Sequence, residues 1–87
     1  MTIKTLLENL EAAEAKSDMI DEAWENDYSN EELEKAWNEA YKAENEAFNK
    51  VVSEIVTMTA GMIDEKTAGL MLRAKRAELK ALVLKIA

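Results

Sequence analysis

Apolar residues recur at steps of three and four along the N-terminal part of the chain, a spacing that lines one face of an α-helix. This stripe consists of Ile3, Leu6, Leu10, Ala13, Ser17, Ile20 and Trp24. It predicts a first helix over about residues 2–25. The small residues Ala13 and Ser17 in the middle of the stripe allow two interpretations, since either another backbone comes close there or the seam is underpacked.

A second helical pattern begins near Asn30 and continues to about residue 60. The letters "SNEE" before it form a capping box, in which Ser29 accepts from the backbone at Glu32 and the Glu32 carboxylate reaches back. The stripe that follows contains Leu33, Trp37, Ala40 or Tyr41, Phe48, Val51, Val52, Ile55 and Met58. The β-branched stretch 51–59 is also compatible with a strand, but the chain offers no second strand to pair with it. We therefore predict one long central helix over 30–60.

The end of the chain predicts a third helix over 64–86. Gly61 suits the left-handed position after a helix, and Asp64 suits an N-cap. The apolar face of this helix contains Ala68, Met71, Leu72, Leu79, Leu82, Val83 and Ile86. Gly69 would allow a close helix crossing, and the chain contains no proline.

Together these patterns predict an all-α fold in which residues 1–87 form a single domain of three antiparallel helices. Large rings at helical spacing usually fill cores, so we expect Trp24, Trp37 and Phe48 to be buried. The central helix is longer than its neighbours. The three helices would form a bundle or a helical-hairpin dimer, and because the long helix would leave an apolar face uncovered, we expect a homodimer.

Charge is unevenly distributed along this acidic chain, which has a formal net charge of −7. Residues 21–46 contain ten acidic and two basic side chains, whereas residues 64–87 contain six basic and three acidic ones. We call the first of these stretches, residues 21–46, the acidic hairpin. Direct nucleic-acid binding is disfavoured because this hairpin repels phosphate. A helical surface rich in carboxylates instead mimics the field of a phosphate backbone, and it suits the basic groove of a nucleic-acid enzyme.

The candidate partner-binding residues are the acids of this hairpin and two tyrosines that would serve as anchors if they are exposed. They are Asp27, Tyr28, Glu31, Glu34, Glu39, Tyr41 and Glu46. The alternative is that the acids are solvated helix faces, partly paired with Lys35, Lys42 and the third helix.

The chain has few side chains suited to catalysis, because it contains neither histidine nor cysteine. Hydrolase triads, zinc sites and helical Glu-x-x-His di-iron sites are excluded in their common forms. We therefore predict no enzyme, no cofactor and no metal site. The spacing of Glu8, Glu11 and Glu14 resembles the Glu-x-x-Glu pairs with which all-α nucleotide pyrophosphatases bind magnesium, which leaves such a hydrolase as a second alternative.

In size, acidity and helical composition the chain resembles small proteins of phages and other mobile elements, including inhibitors of host restriction and CRISPR nucleases. This resemblance implies a function class and assigns no residue a role. The N-terminus lacks the basic start and apolar core of a signal peptide, which favours the cytoplasm. The sequence thus predicts a non-enzymatic protein that binds a basic protein partner through its acidic hairpin. The first alternative is a structural module that forms a homo-oligomer.

Overall fold

The computed structural model describes residues 2–26 and 30–86. Within these ranges the chain forms four helices and no strand. The helices are α1 (Ile3–Asn26), α2 (Glu31–Met58), α3 (Glu65–Ala74) and α4 (Arg76–Ile86). The prediction of an all-α fold is confirmed, and the β-branched stretch that was compatible with a strand lies in α2 and the turn after it.

The predicted number of helices is wrong, because the third predicted helix is interrupted at Lys75. Its backbone angles, φ −138° and ψ 46°, are not helical. In a continuous helix the carbonyl of Leu72 would accept the backbone N–H of residue 76, but here it accepts the side-chain Nε of Arg76 at 3.0 Å. The chain changes direction at this point, so α3 packs against α2 and α4 lies against α1.

The hydrophobic core lies at one end of the molecule. It contains Ile3, Leu6, Leu7, Leu10, Val51, Val52, Ile55, Ala68, Leu72, Leu79 and Val83. These residues come from the first half of α1, the second half of α2, and the two short helices. We call this part, residues 2–14 and 44–86, the body. Leu82 and Ile86, which the sequence pattern placed on the apolar face, are exposed on α4.

The rest of α1 and α2 forms a two-helix projection that we call the arm, residues 15–26 and 30–43. Helix α2 has 28 residues and α3 has only 10, which correspond to about 42 Å and about 15 Å at the standard helical rise. The short helices therefore cover only part of α2, and the molecule is elongated, with a longest extent of 46 Å. In the described part of the arm only Ser17 and Ala40 are buried.

The cap of α2 differs from the prediction, whereas the signals at Gly61 and Asp64 are followed. Asn30, not Ser29, is the N-cap of α2, and its side chain accepts from the backbone N–H of Glu32, which was predicted to donate to Ser29, and from that of Leu33. Asp64 caps α3 by accepting from the Thr67 N–H at 2.7 Å, and Gly61 has the expected positive φ of 83°. The predicted capping role of Ser29 lies outside the described residues.

Candidate protein-interaction surface

The two helices of the arm run antiparallel and are close together because small residues face each other. Ala13 and Ile20 of α1 line the same groove as Ala36, Ala40 and Ala43 of α2. Small side chains allow two helix backbones to approach. The groove between them also shows that the seam is not filled at Ala13, so the second interpretation, an underpacked seam, applies there. The close approach has one unfavourable feature, since the buried Ser17 hydroxyl has no hydrogen-bond partner.

The arm is the acidic part of the molecule. It carries eight acidic and three basic residues, a formal net charge of −5, whereas the body carries nine acidic and eight basic residues and is nearly neutral. The charge asymmetry in the sequence therefore becomes an asymmetry between the two ends of the molecule.

The predicted contact residues lie on more than one face. Glu31, Glu34, Glu39 and Tyr41 are exposed on the arm. Glu34 and Tyr41 are seven residues apart and share one side of α2, whereas Glu39 lies on another side, together with Glu46. Glu46 is exposed in the body, beside Leu6 and Asn9. Asp27 and Tyr28 lie outside the described residues.

Trp37 is exposed, so the prediction that it is a core residue is wrong. Its side chain stacks on that of Tyr41, with ring centroids 5.4 Å apart and ring planes 12° apart. The two residues are 37% and 52% exposed. The indole N–H of Trp37 donates to the carboxylate of Asp21 on α1. Trp37 is not covered because α3 and α4 belong to the other end of the molecule.

The same side of α2 continues into the body, where α3 covers it. Phe48 and Val52 follow Trp37 and Tyr41 at helical spacing. The Phe48 ring packs against the core and lies 3.8 Å from the place where a side chain on Gly69 would begin. The Arg73 guanidinium lies over this ring, 5.1 Å from its centroid. Trp24, the third ring expected in the core, is half-buried in the arm.

Two ion pairs join α4 to α1. Arg76 forms a bidentate pair with Glu14, in which Nη2 donates to Oε2 at 2.9 Å, and Lys80 donates to Glu11 at 2.7 Å. The hydrogen bonds that Arg76 donates to Glu14 raise the pKa of Arg76, and the nearby carboxylates of Glu11 and Glu44 act in the same direction. Glu11 and Glu14, the acids with the Glu-x-x-Glu spacing, thus contact basic side chains of their own chain.

The acids of α2 differ from those of α1. In residues 2–26 and 30–86 Arg76 and Lys80 of α4 pair with α1, and no ion pair involves Glu31, Glu34 or Glu39. Within the same ranges, no group of three or more acidic residues is placed to hold a metal ion. None of the described helices is long and apolar enough to cross a bilayer.

No family model, curated protein or solved structure matches this chain. The candidate surface therefore depends on its own geometry: free carboxylates on an exposed two-helix arm, beside one exposed aromatic stack. Trp37 is the residue of this surface that sequence reasoning missed. The sequence did contain a signal for it: Trp37 and Tyr41 are four residues apart, so their rings are neighbours on one face of a helix.

Proposed function

We propose that this protein is a non-enzymatic interaction protein whose acidic arm binds a basic surface of a protein partner. The observation that carries the proposal is that the arm projects beyond the basic short helices with a net charge of −5. The charged residues of the body largely balance one another. The arm is thus the part of the described molecule with the strongest uncompensated field.

The physical argument concerns both rate and affinity. Carboxylates grouped on a narrow projection attract a basic surface before contact and accelerate association. Exposed charges alone give modest affinity, because their mutual attraction is screened by water and salt. The aromatic stack of Trp37 and Tyr41 supplies the apolar area on which tight protein contacts usually depend.

The partner surface with the best complementary charge is a groove lined by lysine and arginine, of the kind that holds nucleic acid. A slender helical arm with carboxylates on several sides presents negative charge to both walls of such a groove, as a phosphate backbone does. We therefore propose a nucleic-acid enzyme as the partner class, and inhibition by mimicry of DNA as the mode of action. The resemblance in size and acidity to inhibitors carried by phages agrees with this proposal.

The test is affinity capture from a host lysate at low and high salt, with bound proteins identified by mass spectrometry. An arm variant carries Glu31→Gln, Glu34→Gln and Glu39→Gln, and a matched control carries Glu8→Gln, Glu54→Gln and Glu78→Gln. The control also removes three acids, and Glu78 matches Glu31 because each lies in the first turn of a helix.

We expect the wild type and the control to capture the same basic protein, and we expect capture to weaken with salt. The arm variant should capture much less of it while circular dichroism shows an unchanged helical content. If capture is indifferent both to salt and to the arm variant, the proposal is wrong.

A homo-oligomer is the second candidate, because apolar side chains are also exposed on the short helices. Leu70, Leu82 and Ile86 are 56%, 42% and 52% exposed. Such residues would build a contact between copies, with the acids serving only to keep the assembly in solution. Light scattering over a range of protein concentrations tests this candidate. A molecular mass that stays at 9.8 kDa at high concentration would exclude it.

A further inference from the structure

One face of the arm continues the face that α3 and α4 cover in the body. On α1, Glu11 and Glu14 contact α4, and the next residues at steps of four and three are Asp18, Asp21 and Glu25. On α2, the stripe that reaches Phe48 begins with Trp37 and Tyr41. We call Asp18, Asp21, Glu25, Trp37 and Tyr41 the open face.

The covered half of this face shows what it binds within the chain. Its occupants are the helices α3 and α4, and three of their basic side chains have a specific counterpart on α1 or α2. Arg73 lies over the ring of Phe48, Arg76 pairs with Glu14, and Lys80 pairs with Glu11. The chemistry is therefore one cation over an aromatic ring on α2 and two cations on carboxylates of α1.

The open face repeats these groups without an occupant among the described residues. Two stacked rings on α2 take the place of Phe48, and Asp18 and Glu25 continue the row of carboxylates on α1. Asp21 already holds the indole of Trp37, so it fixes the ring that would receive a cation. We infer that the open face binds a basic amphipathic helix of a partner protein, with an arginine on the Trp37–Tyr41 stack and further basic residues on Asp18 and Glu25.

Arginine fits the aromatic stack better than lysine does. Its guanidinium is planar and weakly hydrated, so it can lie flat on an indole or phenol ring and still donate hydrogen bonds at its edge. The length of the face also suits a helix. The α1 part of the arm spans about 18 Å, which corresponds to about three helical turns of the partner.

A second copy of this chain is a poor occupant. Both arginines of the chain, Arg73 and Arg76, are engaged with its own α2 and α1, and two arms of the same negative charge repel each other. The occupant we infer is therefore a different protein. This inference rests on the proposed function, because it names the segment that the acidic arm would recognise.

The experiment measures binding of labelled helical peptides to the full chain by fluorescence anisotropy. Three alanine-rich peptides of about 16 residues, long enough to form a helix, share one leucine face and carry arginine, lysine or glutamine at the remaining positions. The open-face variants are Tyr41→Ala and the pair Asp18→Asn with Glu25→Gln. The pair leaves the aromatic stack intact, so it remains informative if Tyr41→Ala alters the fold. The control is Glu8→Gln with Glu54→Gln.

We expect the arginine peptide to bind most tightly and the glutamine peptide not to bind. Each open-face variant should lower the affinity for the arginine peptide about tenfold, and the control should leave this affinity unchanged. Tyr41→Ala should also remove the preference for arginine over lysine, which simple charge attraction would not produce.

Failure of this inference differs from failure of the proposed function. If the basic peptides bind but only Glu31→Gln and Glu39→Gln weaken their binding, the inference about the open face is wrong. The proposal that the acidic arm binds a basic partner would still hold. The same holds if no peptide binds while the arm still captures a basic protein in a salt-dependent way. If neither peptides nor a basic protein bind, both proposals are overturned.

Discussion

The indole N–H of Trp37 on α2 donates to the carboxylate of Asp21 on α1, so a hydrogen bond joins the two helices of the arm in the region that α3 and α4 leave uncovered. The same indole stacks on Tyr41. Asp21 therefore both ties the helices together and orients the aromatic stack.

Replacing Asp21 by alanine should lower the free energy of unfolding by about 1 kcal/mol, the usual net contribution of such a bond. Urea denaturation measures the loss, and Asp18→Ala is the control because Asp18 is exposed on the same helix without a bond of this kind. Equal effects of the two substitutions would show that the Trp37 contact contributes nothing to stability.

Ser17→Ala should stabilise the protein. The hydroxyl of Ser17 is buried without a partner, and alanine is also the better helix former. We expect a gain of about 1 kcal/mol in the free energy of unfolding from these two effects. Ser53→Ala provides the matched control, because Ser53 is exposed within α2, more than one turn from its end, and reports the helix propensity alone. A gain at residue 17 no larger than the gain at residue 53 would mean that the hydroxyl carries no penalty.

Local sequence signals were enough to predict α1, α2 and the cap at Asp64, because these depend on residues close in sequence, but they placed the cap of α2 at Ser29 instead of Asn30. It did not predict the break at Lys75, which has no glycine or proline to mark it. A weaker signal was present. A helix with Leu72 and Leu79 on its buried side would also bury residue 75 or 76, and both are basic.

The exposure of Trp37 could not be predicted for a related reason. Its burial depends on how far α3 and α4 extend, and that length is set by the break at Lys75. The sequence assigned Trp37 to an apolar stripe correctly, but tertiary structure decides which part of a stripe is covered. The sequence analysis therefore predicted the negative charge of the candidate surface and the presence of Tyr41 on it. It did not predict that Trp37 is exposed beside Tyr41.

The two faces of α4 should respond differently to substitution. Leu79 is fully buried against the core, whereas Leu82 is 42% exposed, although the sequence pattern placed both on one apolar face. Leu79→Ala should cost about 3 kcal/mol in the free energy of unfolding, and Leu82→Ala less than about 1 kcal/mol. Urea denaturation followed by circular dichroism measures both. Similar losses would mean that α4 is rotated about its axis or that Leu82 is covered by a second copy, and dilution of the protein separates these two explanations.

The stability of the protein should depend on pH through Asp64, the N-cap of α3. The Thr67 backbone N–H donates to this carboxylate, and the Thr67 hydroxyl and the charge of Lys66 also contribute, so the pKa of Asp64 is lowered from its ordinary value of 3.8. Because the folded state holds this proton less tightly than the unfolded chain does, the stabilisation is fully present above the ordinary pKa and is lost as the pH falls through the lowered one.

Asp64→Asn keeps an oxygen acceptor for the Thr67 N–H but removes the titrating charge. The urea midpoint of the wild type should therefore exceed that of Asp64→Asn near neutral pH, and the two midpoints should converge as the pH falls below about 4. Thr67→Val, which removes the hydroxyl and keeps the backbone donor, should retain part of the pH dependence. A difference between wild type and Asp64→Asn that stays constant down to acid pH would show that the carboxylate acts only as a neutral acceptor.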